Sequence, residues 1–531
     1  MIRRKSKGDL EQHEEDPISS RPSALSRPEI ELFPNIVNTS PRVFKELYPV
    51  NPPYAFVAIA LEPGTSKLKY YVIEPTLLDE EVRILNKVKE ILLDEIEIDP
   101  ININIQEAEE YLKGEMQRIL KSYKIKLPPE SFGKLFYYIK RDFLGYGKID
   151  PIMRDPNVED ISCDGVGIPI YVWHRYYESL PTNVMFETDE ELDSFVTRLA
   201  YKARRHVSIA RPIIDGSLPE GSRVIVTFSR EISRRGSTFT IRKFREDPFT
   251  IVDMILFKTL SPTMAAYFWL LIESKRSIMI AGATAAGKTT MLNCLAMFIH
   301  PEMKVVSIEE TPEINLPHEN WIPMVARLGV EGIAEITLYD LLKASLRQRP
   351  DYLIVGEIRG REAFTFFQSI ATGHSGLCTI HAESIEAAIR RLESEPMNVP
   401  RTLVIMMDVI ALQAKVKIED RVARRMVEVS EIVGIDPVSK EILLNTVFRW
   451  DSKKDDFEFN GRSYIIERIA HLKGIEEREL LEEMRRRAAI LRWMASKKMR
   501  RCIEVCRIIR EYYINPERLY RRAVLELEAG G

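Results

Sequence analysis

Between Gly282 and Thr289 the chain reads Gly-Ala-Thr-Ala-Ala-Gly-Lys-Thr. Four small residues, Ala283, Thr284, Ala285 and Ala286, separate Gly282 from the closing Gly287-Lys288-Thr289. A polyphosphate needs many donors converging on it with no bulky side chain in the way, and this spacing supplies them. The glycines let the backbone approach closely. The loop N–H groups and the positive end of a following helix then suit β- and γ-phosphates. Lys288 offers a point charge to those phosphates and Thr289 a hydroxyl to Mg²⁺, with Thr290 closing the binding segment.

Three further polar groups follow apolar runs that read as strands. Residues 304–308 end in Glu309-Glu310-Thr311-Pro312-Glu313, and residues 352–355 end in Gly356-Glu357-Ile358-Arg359. Residues 377–380 have His374 before them and His381 after them. In an open parallel sheet, groups just past the carboxyl ends of the strands line the ligand crevice. The expectation is that all three clusters face the phosphates held by Lys288.

The elements that must position these groups are an apolar strand at 278–280 and an amphipathic helix after the loop. Helices at 251–257 and 264–274 lead into that strand, a helix at 338–349 lies between the two acidic clusters, and strands at 408–417, 426–435 and 443–450 extend the sheet. Upstream, 54–61 and 67–73 read as strands paired across Pro63-Gly64, followed by helices at 79–95, at 106–120 and from near Ser131. Two short strands lie between Val158 and Val172, then a helix at 189–206 and strands at 223–228 and 237–244. This segment holds Arg211, Arg223 and Arg242, which suit a domain that reaches phosphates.

The resulting organisation is a mobile polar arm at 1–45, a small α/β module at 46–127, an N-terminal domain at 128–244 and a linker at 245–250. A nucleotide domain at 251–455 and a charged helical extension at 456–531 complete it. With 531 residues, 45% of them hydrophobic and 29% charged, several soluble cores are expected. The formal net charge of −3 gives no field that would recruit nucleic acid, although the last 70 or so residues are basic. The five cysteines read as reduced core thiols, Cys502 and Cys506 sharing one helical face. The N-terminus has no apolar run of a signal peptide, and no stretch is long enough to span a bilayer. Any membrane link would be peripheral or through a partner.

The loop at 282–289, then SIEETPEI, then RPDYLIVGEIRGREA, then ATGHSGLCTIHAES, resembles the secretion and type IV pilus ATPase superfamily in the order of its four signatures. INLPHENW, NVEDISCDGVGIPIYV and RPIIDGSLPEGSRV resemble its archaeal branch, which powers the archaellum and archaeal pili. The resemblance implies an α/β fold with a RecA-like C-terminal motor domain behind an α+β, PAS-like N-terminal domain. It implies an ATPase using ATP and Mg²⁺, with Lys288 and Thr289 on the nucleotide and metal, Glu309 as base or water-positioner, Glu357 as the Walker B carboxylate and metal ligand, and Arg359 beside it. His374 or His381 would sense the γ-phosphate, and Arg223 and Arg242, with Arg211 near them, would reach the phosphates across a homo-hexamer interface. The implied partners are a polytopic membrane platform protein and accessory cytosolic subunits, at the cytoplasmic face of the membrane, with no nucleic acid. Glu310 stands where Asp is usual, so Glu309, Glu310 and Glu313 remain alternatives, and Gly356 replaces the common Walker B Asp. A DNA-driven RecA-like motor and a non-hydrolysing adaptor are the rival readings.

Overall fold

The computed structural model describes residues 44–529 apart from 63–64, 66, 96–104, 245–246, 328–333 and 419–420. The arm expected at 1–45 lies outside them as far as residue 43, as does the Pro63-Gly64 turn, and the expected linker is described from Asp247 onward. The chain divides into two compact units, residues 1–244 and 245–531.

Among the described residues, the first unit is built on a nine-stranded sheet. Its strands are β1 (Phe44–Asn51), β2 (Ala55–Leu61), β3 (Leu68–Ile73), β4 (Val158–Cys163), β5 (Pro169–His174), β6 (Glu178–Met185), β7 (Ile213–Ser217), β8 (Arg223–Thr227) and β9 (Thr238–Arg242), in the order β1-β2-β3-β6-β5-β4-β9-β8-β7. Strands β1, β6 and β7 are additions to the sequence reading. Helices α1 (Asp79–Glu95), α2 (Ile105–Ser122) and α3 (Pro129–Phe143) bury Leu92, Met116, Ile119 and Leu135 together. The short α4 (Asp150–Arg154) and α5 (Asp189–Lys202) cover the sheet through Ile152, Leu192, Val196 and Leu199. Alternation decides the faces: Val224, Val226, Phe239 and Ile241 point into that core, so Arg223 and Arg242 point away from it.

The second unit holds another nine-stranded sheet among its described residues. Its strands are β10 (Ile278–Gly282), β11 (Val305–Glu309), β12 (Trp321–Val325), β13 (Tyr352–Val355), β14 (Ser375–His381), β15 (Val409–Ile418), β16 (Arg421–Ile435), β17 (Ile442–Asp451) and β18 (Asp456–Phe459), in the order β12-β11-β13-β14-β10-β15-β16-β17-β18. From β12 to β15 neighbours run parallel, and from β15 to β18 antiparallel. The strand that carries the phosphate loop is therefore separated from β13, the strand that leads to Glu357, by one other, β14. This is the RecA-like arrangement.

Both faces of the parallel region are covered, which is why its strands read as unbroken apolar runs. Ile278 and Ile280 of β10 enter a core with α6 (Ile251–Leu256), α7 (Pro262–Glu273) and α8 (Lys288–Ala296). Met279 and Ala281 enter the opposite core with α9 (Leu338–Leu346), α10 (Glu362–Ala371), α11 (Ile385–Glu393) and α12 (Arg401–Val404). The helix after the loop is not amphipathic as expected: every residue from Met291 to Ala296 is buried. The reason is a further layer, formed by α13 (Tyr464–Lys473), α14 (Glu477–Ser496), α15 (Cys502–Ile514) and α16 (Pro516–Ala529), which joins the same core through Leu491, Trp493, Ile509 and Leu519. Glu431 of β16 ties this layer to the sheet. Its buried carboxylate accepts from Tyr267 Oη at 2.8 Å, Asn445 Nδ2 at 3.0 Å, the Tyr464 N–H at 2.9 Å and the Ser463 hydroxyl that caps α13.

Candidate nucleotide site

The loop from Gly282 to Gly287 leaves the carboxyl end of β10 and enters α8 through Gly287, whose φ of 89° is left-handed. Gly282 is required for closeness: a Cβ there would stand 2.4 Å from the Gln413 carbonyl oxygen of β15. Ala285, at the exposed tip, also has a positive φ of 59°. Thr289 and Thr290 lie half-buried in the first turn of α8, at the positive end of its dipole.

Lys288 Nζ donates to the Ala283 carbonyl at 3.1 Å. Burial pulls its proton affinity down, Glu357 and Glu313 oppose that, and Arg359 and Arg391 add to it. All four side chains thus lie within electrostatic reach of the lysine. Glu357, half-buried just past β13, pairs with Arg359 Nε at 3.3 Å, and the same guanidinium pairs with Glu310 at 3.0 Å. The turn after β13 is bound to β14, since Thr379 Oγ1 donates to the Gly356 carbonyl at 2.6 Å and the Ile358 N–H to the Thr379 carbonyl at 2.9 Å.

Glu309 ends β11 and is buried, with only 3% of its surface exposed. Its Oε1 accepts the N–H groups of Glu313 and Ile314, each at 3.0 Å, so the carboxylate organises its own loop. Burial pushes the group up to about 7, against the pull of those two N–H donors. Gly356 gives it room, because a Cβ at that position would meet Glu309 Cγ at 3.1 Å. The acidic series therefore splits three ways: Glu309 faces inward, Glu310 engages Arg359, and Glu313 bears on Lys288.

The two histidines part company. His381 lies opposite Gly282 in the β10–β14 ladder, and its Nε2 is 2.8 Å from Thr284 Oγ1 in the loop. His374 precedes β14 and hydrogen-bonds the Ser369 carbonyl through Nδ1 at 3.3 Å. Seven residues of extended chain carry it about 20 Å from His381, at the amino end of the parallel strands. The structure does not bring His374 to the loop.

Arg223 and Arg242 are direct partners across β8 and β9. Arg223 makes a two-pronged pair with Asp215, Arg242 contacts Asp160 at 3.5 Å, and Arg211 sits in an exposed turn with Ser208. These belong to the first unit, whereas the loop belongs to the second.

Two cations at the loop escaped the sequence reading. Arg391 of α11 donates to the His381 carbonyl at 2.7 Å, and Arg424 of β16 donates to the Ala285 carbonyl at 3.1 Å. Both come from elements outside the four motifs, and only the sheet order reveals them.

The residues present fit a magnesium nucleotide: Thr289 brings a hydroxyl to the first turn of α8, and Glu357 a carboxylate within electrostatic reach of Lys288. Among the described residues, no cluster of three or more His, Cys, Asp or Glu could hold a metal, and Mg²⁺ commonly takes few protein oxygens besides phosphate and water. No described helix is long and apolar enough to cross a membrane.

A family model for type II/IV secretion system proteins matches residues 169–508. An uncharacterized protein of Methanocaldococcus jannaschii is 39% identical over 516 residues, covering 92% of this chain and 91% of its own length. The type IV secretion system protein PtlH of Bordetella pertussis is 29% identical over 236 residues, 40% of this chain and 70% of PtlH. Among solved structures, the VirB11 ATPase of the Brucella suis type IV secretion system aligns at 24% identity over 54% of this chain and 92% of its own, with a TM-score of 0.28.

Proposed function

From its membership of the type II/IV secretion system protein family, to which this chain belongs, we propose that it is a motor ATPase hydrolysing ATP to ADP and phosphate. The observation that carries this reading is the convergence on one loop of Lys288, the Glu357–Arg359 pair and His381.

The loop N–H groups and Lys288 hold the β- and γ-phosphates, Lys288 exchanging its bond to Ala283 for one to phosphate. Thr289 and Glu357 would hold Mg²⁺, which supplies charge neutralisation at the phosphates when bound. Glu309, its proton affinity raised toward neutrality by burial, serves as base or water-positioner. Glu313, within electrostatic reach of Lys288, is the alternative carboxylate of the same segment. His381 reads the γ-phosphate through Thr284, and Arg391 and Arg424 add positive charge around the loop.

The working form in this reading is a homo-hexamer in which Arg223 and Arg242 complete a neighbouring copy's site, with Arg211 beside them. Hydrolysis moves the units and drives an archaeal type IV pilus-like filament, the archaellum, through a polytopic membrane platform protein and accessory cytosolic subunits. The protein would work at the cytoplasmic face of the membrane. Pilus assembly or secretion is the alternative employment, and which filament is lost on deleting the gene separates them.

The test is turnover by the purified protein with ATP and Mg²⁺. Lys288→Ala should lose nucleotide binding or hydrolysis, while Glu357→Gln should bind ATP and not hydrolyse it. Full hydrolysis by the Glu357→Gln protein would overturn the assignment of roles, and strong stimulation by single-stranded DNA would favour a nucleic-acid motor.

A further inference from the structure

Cys502 and Cys506 lie four residues apart at the start of α15 with their Sγ atoms 3.9 Å from each other. Both are partly exposed, whereas Cys163, Cys294 and Cys378 are buried. Cys502 opens the helix, after Arg501 in an extended conformation with ψ of 130°. Its N–H is therefore outside the helical ladder and donates to Asp247 Oδ1 at 3.0 Å, in the first segment of the second unit. Two residues on, the Phe249 carbonyl accepts from Cys294 of the loop helix α8 at 3.1 Å.

We propose that Cys502 and Cys506 form a redox-reactive dithiol, which a low-molecular-weight disulfide converts into an intrahelical disulfide. The Cys502 thiolate attacks one sulfur of the small disulfide, forms a mixed disulfide and expels one small thiolate, which takes up the Cys502 proton. Cys506, losing its own proton, then attacks Cys502 Sγ, closes the protein disulfide and expels the second small thiol. The small disulfide gains two electrons and two protons, and the cysteine pair loses them.

Two features assign the roles. A thiolate at a helix N-terminus is favoured by the aligned backbone dipoles, and Cys502 occupies that position. The shared Sγ–Sγ contact sets the two thiols apart, Cys502 below its ordinary range and Cys506 well above it, in the same sense as the helix position, so Cys502 attacks and Cys506 resolves. By contrast, burial pushes Cys163 up to about 11.

The helix also dictates how the product must differ. Residues four apart on a regular helix hold their Cβ atoms about 5–6 Å apart, and a disulfide needs roughly 3.8 Å. Closing the bond therefore requires the first turn of α15 to re-form. The contact given up is Cys502 N–H to Asp247, and the strained product is easily reduced.

The full-length protein is incubated with oxidised glutathione or with dithiothreitol, alkylated under denaturing conditions and mapped by mass spectrometry. In the wild type, alkylation of Cys502 and Cys506 should fall together, by at least about tenfold relative to the reduced sample. Cys506→Ser should accumulate a glutathione adduct at Cys502, and Cys502→Ser should leave Cys506 open to alkylation. The proposal is overturned if the wild-type pair stays open to alkylation, if Cys506 oxidises equally fast in Cys502→Ser, or if Cys163 reacts at the same rate.

Discussion

Thr284 Oγ1 and His381 Nε2 stand 2.8 Å apart, so the phosphate loop is bound directly to the carboxyl end of β14. The other histidine flanking that strand, His374, hydrogen-bonds the end of α10 instead. His381→Ala should lower kcat for ATP hydrolysis by at least about tenfold, with a smaller change in KM. His374→Ala should leave both within about twofold. Steady-state kinetics on the two variants checks the contrast, and equal losses would place sensing elsewhere than at His381.

Glu309 carries a stability signature. Its folded value is raised to about 7 from the ordinary 4.5, so between these the native state binds more protons than the unfolded state. Its contribution is fully present below about pH 4.5, declines as the pH rises to about 7 and is flat above, a fall of about 3 kcal/mol in all. Denaturant unfolding of wild type and Glu309→Gln across this window should show the difference between them shifting toward the variant with rising pH.

Gly356 stands against the Glu309 side chain, where a Cβ would meet Glu309 Cγ at 3.1 Å and ask that side chain to give way. Gly356→Ala should displace Glu309 and cost about 1–3 kcal/mol in overpacking. Reduced hydrolysis should accompany the lowered Tm. Restoring the residue common in other P-loop enzymes, Gly356→Asp, should be worse, because it adds a charge beside a buried carboxylate.

Glu431 gathers donors from α7, from β17 and from the start of α13. Glu431→Ala leaves the buried Tyr267 and Ser463 hydroxyls without this acceptor and should cost about 3 kcal/mol or more. Hydrogen exchange should then show lost protection in α13 as well as in β16. A change confined to β16 would mean that α13 is held by apolar packing alone.

The strands at the site were legible because parallel strands buried on both faces read as apolar runs, and each ends where a polar cluster begins. The sheet order was not, and it decides the contacts. His374 and His381 both flank one strand in the sequence, yet a strand delivers only its carboxyl end to the loop. Arg391 and Arg424 sit in ordinary amphipathic or alternating sequence, so their approach to the loop is a matter of packing across the sheet. β12 was missed because Pro323 interrupts WIPMV, a residue tolerated at the sheet edge that this strand forms. The buried α8 read as amphipathic because the α14–α16 layer that covers it comes from nearly two hundred residues downstream.

Strand β14 is hydrogen-bonded along both flanks, to β13 on one side and β10 on the other. It has no freedom to slide, for any shift along its axis would break two ladders at once. Arg391 fastens the His381 carbonyl besides. If His381 reads the γ-phosphate, the part free to move at this junction is the imidazole, turning about its two torsions on a strand that stays in place.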